Sequence, residues 1–473
     1  MTVTIDGAKL TIDGVVRVAR PSANGRYEKA ALSPKARERI AATRAFIDKE
    51  WMNDNAPLMY SFNTGVGLFK DQRVLMSDMA AYQTKSIYAH ATGIGEPLDE
   101  DVVRATMLLR ANAIKKAGLE PDFTLHAKDA SALINGSTVS LAIAVLAIYD
   151  AKRIRKAADI GMCLSLEAMR GELAAFDPRV HKARPHEGQR KIASNIRKIT
   201  EGSKRCSAAA RETLYPDEAR AAGKAPPPRV QDVYSLRCTP QVHGPALEAL
   251  DYATKIISTE INSATDNPLI FENGDGTYVV ISGGHFHGQY VAQAMDLVAI
   301  AIADLGSISE RRLARLIDPT MSYGLPRNLL AGKKGLNTGF ATVQCSMSAL
   351  VMENRTLSMP GSVDSIPGKS NAEDHVSNST WCARKARTIV QNVEYIVAME
   401  ILMAGQALSL IEPIAKDHPI GKGSKAALAS LRSVVDPALD GDRWYATEMN
   451  LAHQHVRSGA VVEAVEAAVG KLD

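Results

Sequence analysis

The chain has 473 residues, of which 46% are hydrophobic and 23% are charged, a composition ordinary for a globular protein with a large core. Its formal net charge is only +4 and it has no long basic tract, so the charge pattern gives no indication of nucleic acid binding or membrane-surface binding. The five cysteines form no CxxC pair, which argues against a disulfide framework and against a cysteine zinc site.

The first residues predict a small amount of β structure. Val3–Ile5 and Leu10–Ile12 flank a glycine-containing turn, and this pattern predicts an N-terminal β-hairpin. The segment has no hydrophobic signal core, so we expect the protein in the cytoplasm. The most apolar stretches, such as Val291–Leu305, carry Asp296 and Asp304, and we therefore expect no membrane span.

Most of the remaining chain is rich in Ala, Leu, Ile and Met at helical spacing. Several of the predicted helices are long and apolar on more than one face, which indicates burial among other helices. We therefore predict an all-α protein with a long central helical bundle and two domains, residues 1–200 and 201–473. The predicted helices are Pro34–Trp51, Val74–Ala91, Glu100–Lys115, Ser137–Arg170, Gln241–Thr265, Gly288–Ile317, Gly339–Leu357, Thr380–Leu410 and Ser458–Lys471.

The connections between these helices are unusually dense in Asn, Tyr, His and Arg. Polar side chains on loops of an otherwise apolar bundle are where binding and catalysis are commonly found. We therefore expect the functional site to be assembled from these connections. They are Tyr60–Gly67, Asn135–Ser137, Pro228–Gly244, Asp266–Pro268, Ser282–Gly288 and Ser362–His375.

The same connections resemble, in order, the sequence blocks of the histidine and aromatic amino acid ammonia-lyases. The resemblance spans about Leu10 to Leu410 and implies the helical fold shared with the fumarase-like enzymes. It also implies a small-molecule substrate and a homotetramer whose active sites are shared between subunits. The blocks include YSFNTGVG at 60–67, SALINGS at 131–137, VQDVYSLRCTPQVHG at 230–244, NSATDNPL at 262–269 and SVDSIPGKSNAEDHVS at 362–377.

The resemblance implies catalytic roles for three residues. Tyr60 matches the family's lid tyrosine, which takes part in proton transfer at the substrate. Tyr234 matches its second active-site tyrosine, and Asn135 matches the asparagine that positions electrophile and substrate. The alternative for both tyrosines is an ordinary buried phenol with a local hydrogen bond.

Five further residues match substrate-binding positions of the family. Arg237 matches the arginine that binds the substrate carboxylate, and Glu373 matches the acid that faces the amino group in histidine-type enzymes. His90 lies in the pair that selects the substrate side chain, while Gln231 and Asn267 match further polar positions near the pocket. The alternatives are a structural role for the arginine at a helix end or subunit contact, and loop ordering for the glutamate.

A histidine pair also permits a metal interpretation. His285 and His287 have a spacing at which two imidazoles can share a cation. The family that this block resembles has an FHG sequence here without a metal. We therefore predict no metal site.

The resemblance does not extend to the segment from which the family forms its electrophile. That group, a methylidene-imidazolone ring, forms from an internal Ala-Ser-Gly, and neither this tripeptide nor Thr-Ser-Gly or Cys-Ser-Gly occurs in the chain. Only residues 113–130 separate the two blocks between which the family places it. We therefore predict no methylidene-imidazolone cofactor.

These observations predict a carbon–nitrogen lyase-like enzyme that works without that electrophile. A general base alone contributes about 10²–10⁴-fold, so the substrate needs an acidic C–H bond or a good leaving group. The retained Tyr, Asn, Arg and Glu side chains favour elimination, addition or isomerisation on a small carboxylate-bearing compound, such as an amino acid. Two alternatives stay open. One is a histidine or aromatic amino acid ammonia-lyase whose natural chain has an internal segment absent from this sequence. The other is a non-catalytic paralogue that binds a ligand or assembles with a lyase subunit.

Overall fold

The computed structural model describes residues 2–22, 24–114, 125–215, 217–218, 229–368 and 372–473. Helices dominate this part of the chain, and the strands are short. The predicted mainly α class is confirmed.

The N-terminal segment forms a parallel strand pair instead of a hairpin. Strand β1 (Thr2–Ile5) pairs in parallel with β2 (Lys29–Leu32), and helix α1 (Ile12–Ala19) lies between them in the chain. Thr11 begins this helix, because its hydroxyl oxygen accepts the backbone N–H of Gly14 at 3.1 Å. The hairpin prediction was therefore wrong. The predicted second strand instead leads into a helix, with Thr11 as the N-cap and Ile12 as the first helical residue. This helix buries three valines, and parallel strands need such a crossover.

The helices predicted from apolar spacing are all present, with ends that differ from the prediction by at most five residues. Helix α6 (Thr138–Ala168) shows why the spacing was informative, since every residue from Leu141 to Ile148 is buried. The other α-helices of the described chain are α2 (Pro34–Phe46), α3 (Met79–His90), α4 (Glu100–Ile114), α5 (Asp129–Ile134), α7 (Pro178–Ala183), α8 (Glu187–Ile199), α9 (Ala208–Glu212), α10 (Tyr234–Arg237), α11 (Thr239–Ile261), α12 (Gln289–Leu316), α13 (Ala341–Leu357), α14 (Ser379–Ala415), α15 (Lys422–Arg432), α16 (Tyr445–Ser458) and α17 (Ala460–Val469).

A short antiparallel hairpin follows α11. Strands β3 (Leu269–Glu272) and β4 (Tyr278–Ile281) pair with Leu269 opposite Ile281. The sequence prediction did not include this hairpin. It matters for the site because it carries the Asp266–Pro268 and Ser282–Gly288 connections at its two ends.

The chain forms two compact units, each built from separate stretches of sequence. The predicted division into residues 1–200 and 201–473 stays a prediction. The first unit comprises Met1–Tyr149, Ala253–Asp296 and Pro360–Arg387, and the second comprises Asp150–Tyr252, Leu297–Met359 and Thr388–Asp473.

Three helical stretches are long and apolar enough to cross a membrane by length and composition alone: Asp129–Ala168, α12 and α14. In the fold, between 56% and 83% of the residues in their most apolar windows are buried. Helices α12 and α14 also carry charged side chains that pair inside the protein. The expected absence of a membrane span and the cytoplasmic location stay predictions.

Candidate active site

Tyr60 lies in a loop that is closed by its own side chains. The buried Asn63 accepts the backbone N–H of Met59 at 2.8 Å, and its amide nitrogen donates to the carbonyl of Pro57 at 2.9 Å. The half-buried Tyr60 hydroxyl accepts the backbone N–H of Gly67 at 3.3 Å. This contact holds the phenol in place, and within the described residues its own O–H has no acceptor. The hydroxyl therefore remains available for proton transfer.

Asn135 and Asn267 are brought together by a residue that lies between helix and hairpin. One carboxylate oxygen of Asp266 accepts the Asn135 amide N–H at 3.4 Å and the backbone N–H of Asn267 at 2.7 Å. Its other oxygen lies 2.8 Å from the ammonium of Lys128. The Asn267 side-chain oxygen accepts two donors, the Ser282 hydroxyl at 3.0 Å and the Gly283 N–H at 2.8 Å. Two predicted site residues thus belong to one polar cluster.

The backbone geometry at Gly136 allows this cluster to form. Gly136 has φ +109°, and a Cβ at this position would lie 2.0 Å from the carbonyl oxygen of Thr265. Only glycine permits so close an approach of the two loops. Arg110 fixes the same loop from the other side by donating to the carbonyls of Ala132, at 3.2 Å, and Asn135.

His90 lies at the end of α3 and is exposed. Its Nδ1 is 2.7 Å from the carbonyl oxygen of Ser86, so this nitrogen carries a proton. In the neutral imidazole, Nε2 is then the acceptor. This geometry is compatible with a contact to a donor on a ligand.

Glu373 is held by its backbone in a tight loop of the first unit. Its N–H and C=O pair with Gly368 at 3.3 and 2.9 Å, and the side chain is exposed. Close by in sequence, His375 Nδ1 lies 3.4 Å from Nε2 of His287. Within the described residues, no group of three or more His, Cys, Asp and Glu side chains is placed to hold a metal ion.

Tyr234 and Arg237 lie on the single turn of α10 in the second unit. Arg237 Nε donates to the carbonyl of Asp232 at 2.7 Å, and its guanidinium lies 4.7 Å from the Tyr234 ring centroid. The tyrosine is 72% exposed, and Gln231 is exposed three residues earlier. Asp232 itself is buried and accepts the backbone N–H of Glu172 at 2.6 Å, which fixes the start of the turn.

A buried ion pair supports the same turn from beneath. Arg312 on α12 donates to the carbonyl of Ser235 at 3.1 Å and binds Glu400 on α14 at 2.8 Å. Glu400 also accepts the hydroxyls of Ser165, at 2.9 Å, and Ser309. All four side chains are fully buried, so the residue next to Tyr234 is fixed to the core of the second unit.

The structure therefore joins some predicted site residues directly and leaves others in separate places within their unit. Asn135 and Asn267 share Asp266, and Tyr234 contacts Arg237. Tyr60, His90 and Glu373 lie on separate segments of the first unit, and all eight assignments stay predictions. The sequence indicated Arg312 as part of a structural ion network on a long helix, but it did not indicate supporting roles for Lys128, Asp266 and Glu400. For Asp266 a signal existed, because an Asp-Asn-Pro run between two apolar segments is typical of a structured turn.

Comparison with known proteins identifies relatives along almost the whole chain. The sequence profile of the aromatic amino acid lyase family matches residues 10–117 and 111–433. The chain is 37% identical to histidine ammonia-lyase 2 of Fusobacterium nucleatum subsp. nucleatum, with 99% of both chains covered. It is 38% identical to histidine ammonia-lyase of Caldanaerobacter subterraneus subsp. tengcongensis, with 98% of both covered.

Solved structures agree in fold. Histidine ammonia-lyase from Trypanosoma cruzi superposes with a TM-score of 0.84 at 31% identity, over 99% of this chain and 96% of that one. Tyrosine aminomutase from Streptomyces globisporus gives a TM-score of 0.86 at 28% identity, over 100% of both chains. The fold seen here is thus shared with enzymes of both names.

The match to the family profile is divided near the start of residues 113–130. The family profile matches in two segments that meet at residues 111–117. The alignment with the Fusobacterium nucleatum enzyme runs over 537 positions, at least 64 more than the 473 residues of this chain. The two profile segments cover most of the chain, and the relatives align with nearly all of it. The chain therefore belongs to the aromatic amino acid lyase family and is an enzyme, a carbon–nitrogen lyase of the ammonia-lyase class.

Proposed function

We propose that this enzyme eliminates ammonia from a small amino acid with a polar or aromatic side chain, or adds ammonia to the corresponding unsaturated acid, without an electrophile made from its own backbone. One observation carries this function. The acid–base and anion-binding side chains Tyr60, Asn135, Tyr234 and Arg237 are present, whereas the precursor tripeptide of the family's electrophile is absent from the 473 residues.

A histidine-like substrate is the best candidate. The relatives at 36–38% identity are named histidine ammonia-lyases. Nε2 of His90 is the acceptor nitrogen of the neutral ring, and Glu373 matches the acid that faces the substrate amino group in histidine-type enzymes. Both residues match the histidine-type enzymes more closely than the phenylalanine-type enzymes.

The chemistry is assigned to this chain's own groups. Arg237 binds the substrate carboxylate, since a guanidinium recognises that group through two parallel hydrogen bonds. A tyrosine, Tyr60 or Tyr234, removes the proton from Cβ. The C–H electron pair forms the Cα–Cβ double bond, and the C–N pair departs with the amine. Since a base alone supplies about 10²–10⁴-fold, the substrate needs an acidic C–H bond or a good leaving group.

The family's methylidene-imidazolone ring does not fit the residues present. It would make the amine a better leaving group, but no Ala-Ser-Gly, Thr-Ser-Gly or Cys-Ser-Gly exists from which it could form. Asn112 precedes residues 113–130, and both ends of its side-chain amide are already hydrogen bonded. Its oxygen accepts the backbone N–H of Gly7 at 3.1 Å, and its NH₂ donates to the carbonyl of Ile261 at 2.9 Å. We therefore derive no step through this ring.

Turnover of candidate amino acids by matched variants tests this function. We expect the purified protein to convert L-histidine, L-tyrosine or a related amino acid, as detected by mass spectrometry. The Tyr60→Phe and Tyr234→Phe variants should lose about 100-fold or more of that activity, the usual contribution of an acid–base group. Tyr252→Phe, an exposed tyrosine on α11, is the control and should be unaffected. Unchanged turnover in both active-site variants would contradict the proposed roles.

The intact mass separates the alternatives. A protein that uses only its side chains has the mass of its sequence, 50.8 kDa. An ordinary ammonia-lyase whose natural chain has the internal segment would instead be heavier by that segment, less the water lost when its backbone cyclises. Binding of amino acids without any conversion would instead favour the non-catalytic paralogue.

A further inference from the structure

Lys128 and Asp266 form an ion pair at the centre of the polar cluster in the first unit. Nζ of Lys128 lies 2.8 Å from Oδ2 of Asp266 and 3.3 Å from the carbonyl oxygen of Asn267. The two side chains are only 9% and 20% exposed. The lysine also lies 6.0 Å from the ring of Phe62, two residues from Tyr60. The pair therefore adjoins three of the predicted site segments.

The charge of Asp266 determines how the Asn135 amide is oriented. An ionised carboxylate is only an acceptor, so the Asn135 group that faces it at 3.4 Å must be the NH₂. The amide oxygen of Asn135 then points away from Asp266. Within the described part of the chain, no group donates a hydrogen bond to this oxygen. It is therefore available to accept an N–H from a ligand.

Asn267 has the opposite orientation. Its side-chain oxygen already accepts the Ser282 hydroxyl and the Gly283 N–H, so its NH₂ faces the other way. This NH₂ has no acceptor among the residues that the structure describes. Asp266 also fixes the backbone of Asn267 by accepting its N–H at 2.7 Å. The cluster thus presents one free acceptor, on Asn135, and one free donor, on Asn267.

We propose that the Lys128–Asp266 ion pair is a positioning element that fixes Asn135 as a hydrogen-bond acceptor and Asn267 as a donor, and so selects ligands that carry an amino group next to a hydrogen-bond acceptor such as a carboxylate. The choice of an amino acid as ligand rests on the proposed function. The alternative is that the pair only joins two loops. In that case, its loss would destabilise the protein without changing which ligands are preferred.

Paired probes distinguish these two roles. L-Histidine and 3-(imidazol-4-yl)propanoate differ only in the amino group, as do L-phenylalanine and 3-phenylpropanoate. Isothermal titration calorimetry on the full chain measures the affinity ratio within each pair. We expect the unaltered protein to prefer the amine-bearing member of at least one pair. In Asp266→Asn the new amide can donate as well as accept, so it no longer fixes the orientation of the Asn135 amide. This variant should reduce the affinity ratio within a pair about tenfold, as expected for one hydrogen bond to a charged group.

Two further variants keep the test independent of folding. Lys128→Arg retains the cation and should keep most of the preference, whereas Lys128→Met should reduce it. Asp101→Asn is the matched control, because Asp101 also pairs with cations in the first unit, Arg20 at 2.9 Å and Arg387 at 3.0 Å, away from both amides. This variant should alter the thermal midpoint but leave the affinity ratio unchanged.

The outcomes separate this role from the lyase reaction. A ratio that depends on Asp266 in a protein without turnover would support the positioning role and contradict the lyase function. An undiminished ratio in both folded Asp266→Asn and Lys128→Met proteins would overturn the positioning role, whatever the turnover. So would failure of the unaltered protein to bind either amine-bearing probe.

Discussion

Nδ1 of His243 lies 2.7 Å from Oδ1 of Asp159, and both side chains are completely buried in the second unit. Burial lowers the pKa of His243 below its usual value of 6.5, and it outweighs the hydrogen bond and charge of Asp159, which favour the protonated ring. Arg312 acts in the same direction as burial, and Glu400 opposes it. The folded protein therefore keeps this histidine neutral at neutral pH.

This neutral histidine predicts a loss of stability in mild acid. As the pH falls below 6.5, the unfolded chain takes up a proton at His243 that the folded chain does not, so the free energy of unfolding decreases. The loss continues until the pH reaches the lowered folded-state pKa. His243→Asn keeps a donor toward Asp159 but does not titrate. Urea unfolding between pH 7.5 and 5.5 should show a slope smaller by up to about 1.4 kcal/mol per pH unit in this variant. Equal slopes would contradict the assignment.

The Arg312–Glu400 pair predicts strong coupling between α12 and α14. Removing one member leaves the other charge buried and unpaired, so Arg312→Met should cost about 3–5 kcal/mol in free energy of unfolding. The double variant Arg312→Met/Glu400→Gln should cost less than the sum of the single changes. Denaturant unfolding measures both effects, with Arg179→Met at an exposed pair as a control that should be unchanged. Simple additivity would show that the two residues act independently.

Gly136 predicts a steric limit at the cluster of Asn135 and Asp266. Alanine at this position would combine a positive φ with a Cβ 2.0 Å from the Thr265 carbonyl oxygen. Gly274→Ala is the matched control, since Gly274 has φ +83° with open space around it, and should cost only about 1–2 kcal/mol. Gly136→Ala should cost about 1–3 kcal/mol more and should weaken ligand binding. Thermal unfolding and calorimetry measure the two effects, and equal costs at both glycines would contradict the close approach.

The homotetramer with shared active sites, which is a prediction from the family resemblance, would allow complementation between inactive variants. If one subunit supplies Tyr60 and another supplies Tyr234, a reassembled equal mixture of Tyr60→Phe and Tyr234→Phe proteins contains some intact sites. Random assembly would restore about a quarter of the original activity. The measurement is turnover before and after mixing under conditions that allow subunit exchange. A mixture that stays inactive, despite mass-spectrometric evidence of mixed oligomers, would place both tyrosines in sites made by one subunit.

The long helices could be predicted from the sequence because buried helices are apolar on several faces. The run from Leu141 to Ile148 is apolar throughout, and only burial among other helices suits such a run. The prediction was wrong at residues 10–12, where a short apolar segment fits either a strand or a helix. Thr11, as an N-cap, was the signal for the helix. The partner of β1 is strand β2, which begins at Lys29, beyond the reach of local periodicity.

The site was predicted only at the level of side-chain types. The resemblance gave Asn135 and Asn267 as separate polar positions, whereas their shared carboxylate, Asp266, is a contact across more than 130 residues. The same holds for Arg312, whose partner Glu400 lies 88 residues further on. Helical spacing indicates which face of a helix is apolar. It does not indicate which distant charge will meet a buried one.

The separation of these charges along the chain has a consequence for synthesis. Helix α12 leaves the ribosome with Asp296 and Arg312 before their partners Lys385 and Glu400, which lie almost ninety residues later, have been translated. At bacterial or eukaryotic elongation rates the delay is about 4–18 s. During that interval the nascent chain exposes a long apolar segment in which Asp296 and Arg312 have not yet formed their ion pairs. The protein is therefore expected to need protection by a chaperone until its last long helix emerges.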